Sequence, residues 1–346
     1  MSILRKKIRV LVVDDSLVFR ELIARGLALD SVIEVVATAA DAYEARDKII
    51  EFDPDVVTLD VEMPKMSGID FLRRLMPQYP LPVVVISAVS DNVFEALNAG
   101  AVDFVTKPDM QNMRGLEALV NELVVKVKIA SVAKVGHWKQ RAAGAAIDSR
   151  NGADCRGVFI AIGSSTGGTE AVYSILQTMP ADAPGILVVQ HMPPRFTAMY
   201  ADRLNNSCPM EVREAKNGDR IYPGLALIAP GDYHMRIKKT GTLYTVECRQ
   251  EERVNGHCPS VDVLFESMAQ VVKEKAVGVI LTGMGYDGAR GLLTMRRQGA
   301  RTIGQNEQSS VVYGMPKAAH EIGAVEKQAS LEDIPRLIYT LLGQMK

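Results

Sequence analysis

Long apolar runs are missing from this chain: no stretch approaches the ~18 residues that a membrane-spanning helix needs. Paired cysteines are missing too. Cys155, Cys208, Cys248 and Cys258 show no C-x-x-C spacing, and four in 346 residues are too few for a disulfide framework, so reduced thiols in a cytoplasmic compartment are expected. An excess of either charge is absent. The 40 Lys and Arg meet 41 Asp and Glu, leaving a net charge of -1 and no global field to draw in nucleic acid or an anionic membrane. The N-terminus does not read as a secretory signal: Arg5, Lys6, Lys7 and Arg9 lead into a short apolar run that ends at once in Asp14-Asp15.

What is present is the mix of a soluble globular protein, 47% apolar and 23% charged. At a typical ~150 residues per domain the length suggests two domains, each able to bury a core without metal or disulfide staples. The first 130 residues alternate short apolar runs (Ile8–Val13, Ile33–Ala37, Val56–Leu59, Pro82–Ile86, Val102–Val105) with helical patterns (Phe19–Leu27, Ala42–Phe52, Ile69–Met76, Val93–Ala99, Met113–Ile129). Such alternation predicts a doubly wound parallel sheet. From Ser131 to Asp154 the periodicity fades into Ala, Gly, Lys and Arg around Trp138, which reads as a linker. A second α/β domain is predicted from Cys155 to the end. Its strands are Val158–Ile162, Ile186–Val189, Leu225–Ala229 and Val277–Leu281. An antiparallel hairpin, Tyr233–Lys238 with Leu243–Arg249, is inserted, and helical patterns precede Leu176 and cover Val261–Lys273.

In the first domain Asp14-Asp15 follows strand one, Asp60 ends strand three, Ser87 ends strand four and Lys107-Pro108 ends strand five. The carboxyl ends of adjacent parallel strands meet in one crevice, so three carboxylates and an ammonium converge. Oxygen ligands this close suit a hard cation such as Mg²⁺. With it bound, Asp60 can attack a phosphoryl donor, Lys107 can balance the new charge and Ser87 can hydrogen-bond the phosphoryl group.

In the second domain Gly163-Ser164-Ser165-Thr166-Gly167 contains G-x-S-x-G between a strand and a helix. Ser165 is then exposed on a turn, beside helix-start amides that favour an oxyanion. The same turn read alone suits phosphate binding, although the dinucleotide pattern G-x-G-x-x-G is absent. Of the five histidines, His191 follows an apolar strand and lies at the same sheet edge as Ser165. Asp287, in Leu281-Thr282-Gly283-Met284-Gly285-Tyr286-Asp287-Gly288, again follows an apolar strand. Three such turns on one edge suggest a Ser-His-Asp triad. Its chain order differs from the Ser, Asp/Glu, His order of α/β-hydrolases.

Residues 8 to about 129 resemble response-regulator receiver domains. The whole chain resembles chemotaxis response-regulator protein-glutamate methylesterases (CheB). The motifs that carry the likeness are Leu59 to Pro64, Gly163 to Glu170, Gln190 to Pro194, Ala229 to His234, Pro259 to Asp262 and Leu281 to Gly288. The resemblance implies Asp60 as phospho-acceptor and Ser87 and Lys107 as switch residues. It places Asp14, Asp15, Asp60 and the Glu62 carbonyl around Mg²⁺. It also implies Ser165, His191 and Asp287 as the triad, with the Met284 N–H, beside that of Thr166, serving the oxyanion. No cofactor is expected for ester hydrolysis. The implied substrates are glutamate γ-methyl esters, and glutamine amides, of methyl-accepting chemotaxis receptors. A chemotaxis histidine kinase is the implied phosphodonor. A monomer that neither binds nucleic acid nor inserts into the membrane is the default expectation. Two rivals stand beside this reading. A phospho-switched binding module would need a helix-turn-helix or a basic recognition helix, and neither is visible. A hydrolase of some other ester is separable only by comparing substrates.

Overall fold

The computed structural model describes residues 6–88, 91–108, 113–136 and 157–345. They fall into two compact units, an N-terminal one within residues 6–136 and a C-terminal one within residues 157–345. Beyond position 136 the expected linker, with His137 and Trp138, lies outside the described residues, as does Cys155.

The N-terminal unit runs β1 (Ile8–Val13), α1 (Leu17–Ala28), β2 (Ile33–Ala39), α2 (Ala42–Phe52), β3 (Val56–Asp60), α3 (Gly68–Gln78), β4 (Val83–Ser87), α4 (Asp91–Ala99), β5 (Asp103–Thr106) and α5 (Met113–Ala130). The strands pair in parallel in the order β2-β1-β3-β4-β5. Every residue of β3 and β4 is buried, as expected for strands covered by helices on both faces. Short polar side chains do structural duty at helix starts. Asp41 accepts the N–H groups of Tyr43 and Glu44, and Ser16 accepts that of Phe19, satisfying donors a helix start leaves open.

The C-terminal unit runs β6 (Phe159–Ser164), α6 (Gly168–Thr178), β7 (Gly185–Gln190), α7 (Phe196–Ser207), β8 (Glu211–Glu214), β9 (Leu225–Ile228), β10 (His234–Thr240), β11 (Leu243–Arg249), α8 (Val261–Val271), β12 (Ala276–Ile280), α9 (Ala289–Arg297), β13 (Arg301–Gln305), α10 (Met315–Glu321), β14 (Lys327–Ala329) and α11 (Ile334–Leu342). Seven parallel strands order as β14-β13-β12-β6-β7-β9-β8, and β10 and β11 form the separate antiparallel pair. The connections diverge between β6 and β12. That divergence opens a crevice at their carboxyl ends, and the loops carrying Ser165 and Asp287 leave from there. Among the described residues no helix is long and apolar enough to cross a membrane.

Helix α7 and strand β8 escaped the pattern reading. Strand β8 is Glu-Val-Arg-Glu with one buried side chain, too polar and short to register. Helix α7 buries Phe196, Thr197, Tyr200, Ala201 and Leu204 at helical spacing, but the stripe is diluted by Thr and Ala. Arg195, just before α7, has φ 73° and ψ -40°, a region that disfavours a Cβ and costs on the order of 1–3 kcal/mol. Arg195→Gly is therefore expected to stabilise this unit by about 1 kcal/mol, raising the melting temperature by ~2–4 °C in thermal unfolding.

Candidate functional site

Each unit gathers its chemistry-bearing residues at the carboxyl edge of its sheet. In the N-terminal unit one carboxylate oxygen from each of Asp14, Asp15 and Asp60 lies within 4.8 Å of the others. Lys107, half-buried after β5, reaches Asp60 Oδ2 at 2.6 Å and Asp14 Oδ2 at 2.9 Å. Asp14 and Asp60 are buried while Asp15 is exposed, so the cluster opens to solvent on one side. Burial pushes the Asp60 carboxyl up to about 6 against the pull of Lys107. Burial also lowers the affinity of Lys107 for its proton, but the two carboxylates outweigh it and hold the ammonium above its ordinary value. Ser87 is buried at the end of β4, and its carbonyl accepts the Lys107 N–H at 2.9 Å. Glu62 donates its N–H to Asp60 Oδ1 at 3.2 Å, which folds the loop after β3 back over the acid. The four charged side chains named from the sequence, Asp14, Asp15, Asp60 and Lys107, thus meet in one crevice, with Ser87 at the end of β4 joined to Lys107 through main chain.

In the C-terminal unit Ser165, His191 and Asp287 follow β6, β7 and β12, which are neighbours in the sheet. Ser165 donates its backbone N–H to Thr282 O at 3.0 Å. That bond ties the serine turn to the loop that carries Asp287. Gly283 permits the approach: a Cβ there would lie 2.7 Å from Ser165 Cβ and 2.4 Å from Met315 Sδ. His191 Nε2 meets Asp287 Oδ2 at 2.9 Å. A carboxylate can only accept, so Nε2 carries a proton, and in the neutral ring Nδ1 presents a lone pair. Nδ1 is buried and has no hydrogen-bond partner among the described residues, so no bond joins it to Ser165. The Met284 N–H likewise meets no acceptor among the described residues, and its side chain is exposed. Thr166 is buried, and its carbonyl accepts the Thr282 hydroxyl at 3.0 Å.

Asp287 is 2% exposed and fully engaged. Oδ1 accepts from Asn255 Nδ2 at 2.9 Å, Ser260 Oγ at 2.8 Å and the Asp262 N–H at 3.3 Å; Oδ2 accepts from His191 and, at 2.7 Å, from the Val261 N–H. Burial alone would raise its pKa, but His191, Asn255 and Val261 together hold the carboxyl well below the usual carboxylate range. The supports are themselves supported. Asn255 Nδ2 also reaches Asp262 Oδ2 at 2.8 Å, and His234 Nδ1 accepts the Ser260 N–H at 3.1 Å.

Sequence reasoning left Asn255, His257 and the Gln190 side chain without roles. The signal for two of them was present. Val254 and His257 exchange backbone hydrogen bonds across Asn255-Gly256, both at positive φ, and Asn-Gly is the strongest short marker of such a turn. The turn aims Asn255 at Asp287 and lays the His257 ring on His191, with centroids 3.7 Å apart and planes 6° from parallel. Burial and the neighbouring His191 bring His257 down to about 4.

Residues 160–338 match the family model of the CheB methylesterase, and residues 10–120 match that of the response regulator receiver domain. A protein-glutamate methylesterase/protein-glutamine glutaminase 2 of Syntrophomonas wolfei is 59% identical over 340 residues, covering 98% of this chain and 99% of that protein. A Salmonella choleraesuis protein-glutamate methylesterase/protein-glutamine glutaminase is 46% identical over 95% of both chains. The crystal structure of the Thermotoga maritima CheB methylesterase catalytic domain superposes with a TM-score of 0.52 at 34% identity, covering 54% of this chain and 98% of that one. With a receiver crevice, a serine-histidine-aspartate edge and relatives matched almost end to end, this chain belongs to the CheB methylesterase family.

Proposed function

We propose that the chain hydrolyses glutamate γ-methyl esters, and deamidates glutamine side chains, on methyl-accepting chemotaxis receptors, under control of phosphorylation at Asp60. One observation carries the catalytic half. His191 spends Nε2–H on Asp287 and keeps a buried, unpartnered Nδ1 lone pair at the edge where Ser165 sits. In this reading Nδ1 takes the Ser165 proton as Oγ attacks the ester carbonyl, a contact that resting enzymes often tighten only with substrate. The Met284 and Thr166 amides receive the oxyanion. The His191 imidazolium returns the proton to the departing methoxide, giving methanol and a glutamyl ester of Ser165. Water, deprotonated by Nδ1, then adds to that ester and releases glutamate and Ser165. Asp287 holds the tautomer and offsets the imidazolium charge. A glutamine amide follows the same path and releases ammonia.

Asp14, Asp15 and Asp60, with the Glu62 carbonyl, are the residues that would hold Mg²⁺. Three carboxylate oxygens within 4.8 Å form an all-oxygen donor set that suits a hard cation. When bound, it shields the carboxylates and the incoming phosphoryl group. Asp60 accepts the phosphoryl group from a chemotaxis histidine kinase, and Ser87 and Lys107 respond to it. Phosphorylation then shifts the receiver from a form that restrains the esterase to one that releases it. The enzyme acts as a cytoplasmic monomer on the cytoplasmic part of its receptors.

The test is methanol release from methylated receptor membranes, with and without a small-molecule phosphodonor. The unaltered chain is expected to be stimulated. Asp60→Asn is expected to keep the basal rate and lose the stimulation; a variant still stimulated would remove Asp60 from the role. A chain releasing no methanol in either state would end the substrate assignment.

A further inference from the structure

The serine turn has two serines, and the first has no part in the chemistry above. Ser164 is fully buried at the end of β6, in register with Gln190 at the end of β7. Its hydroxyl donates to Gln190 Oε1 at 2.7 Å. The other end of that amide donates twice: Gln190 Nε2 meets the main-chain carbonyl of Ser165 at 2.9 Å and that of His191 at 3.2 Å. One side chain, 3% exposed, therefore holds the backbone of both residues between which a proton must pass.

The orientation of the amide follows from its partners. Two carbonyls on one side accept only, so they select the NH₂ end and leave Oε1 for the Ser164 hydroxyl. There is little room for the group to shift, since a Cβ at Gly168 would come within 2.3 Å of Oε1 and 2.6 Å of Ser164 Cβ. The sheet does not need this amide to stay paired. The strands are already joined in register, and the His191 N–H reaches Ser164 O at 3.2 Å. A buried amide is costly unless fully bonded. What it adds here is a fixed separation between two adjacent turns.

We infer that Gln190, oriented by Ser164, is a positioning residue: it sets the spacing of Ser165 and His191, the one link of the triad that no side-chain hydrogen bond spans. The inference rests on the reading of Ser165 as nucleophile. It explains why the turn carries Ser-Ser, with the first hydroxyl serving the clamp and the second serving the substrate. Gln190 touches neither ester nor oxyanion in this scheme, so its loss should lower kcat and leave KM in place.

The experiment uses the full chain and two readouts: the rate of labelling of Ser165 by a fluorophosphonate, and methanol release from methylated receptor membranes. Gln190→Met keeps the size and removes the amide; both rates should fall about a hundredfold, as for a displacement near 1 Å, with KM unchanged. Ser164→Ala leaves the amide unsteered and should cost roughly tenfold. Gln190→Glu still accepts from Ser164 but turns a carboxylate toward two carbonyls. Protonation restores a donor, so its labelling rate relative to the unaltered chain should rise as the pH is lowered from about 8 to about 6. Simple loss of stability would not produce that signature. Folded Gln190→Met or Ser164→Ala labelling within twofold of the unaltered chain overturns the inference. If Gln190→Met does not fold, Ser164→Ala and the pH response of Gln190→Glu decide it, and a flat response with near-normal labelling overturns it equally. An unaltered chain that is not labelled at Ser165 overturns the nucleophile assignment itself, and the clamp with it.

Discussion

Ser165→Ala is expected to lower kcat for methanol release by about a millionfold, the scale seen when a triad nucleophile is removed. The size follows from what survives. Without Oγ no glutamyl-enzyme forms, and the site is left with the Met284 and Thr166 amides and its grip on substrate, which together retain only ~10³–10⁴ over the reaction in water. Stability should hardly change, because the turn is fastened through main chain: Ser165 N to Thr282 O and Ser165 O to Gln190 and Gly168. Matched thermal melts beside methanol assays make the check. A variant that melts normally and retains esterase activity above a hundredth of the parent would remove Ser165 from the reaction.

Asp287→Asn is expected to cost about ten-thousandfold in kcat, for a reason specific to this network. Both carboxylate oxygens are saturated by donors, so wherever the new NH₂ group points it meets a hydrogen aimed at it. Turned toward His191, it forces the imidazole into the other tautomer, with the proton on Nδ1, and the base is lost. Turned toward Asn255, it opposes that residue's amide and the Asp262 N–H, and His191 loses its counter-charge instead. A penalty of roughly 1–3 kcal/mol in folding stability accompanies either choice. Steady-state kinetics and urea unfolding read the two effects separately. A variant with a rate within tenfold of the parent would show that the carboxylate is not needed to orient the base.

The receiver crevice was readable from sequence because its parts sit at strand ends. Strand ends are marked by where an apolar run stops, as at Val13 before Asp14 and at Leu59 before Asp60. Ser165, His191 and Asp287, at the edge of the other sheet, were readable for the same reason. What fastens them was not. Gln190 is the last residue of an apolar strand, and nothing in Val-Val-Gln-His distinguishes a buried clamp from a solvated amide. Asn255 and His257 lie outside the parallel sheet, and their approach to Asp287 and His191 depends on tertiary folding that periodicity does not encode. Strand β8 was invisible because an edge strand with one buried side chain carries no alternation to read.

The ring of His257, stacked face to face on that of His191, is held neutral. Burial and, across 3.7 Å, the neighbouring His191 raise the cost of charging His257, which is drawn down to about 4. Through mild acid His257 therefore stays an uncharged platform against the His191 ring. A loss of activity between about pH 7 and pH 5 would owe nothing to protonation of His257, although its ring lies on that of His191.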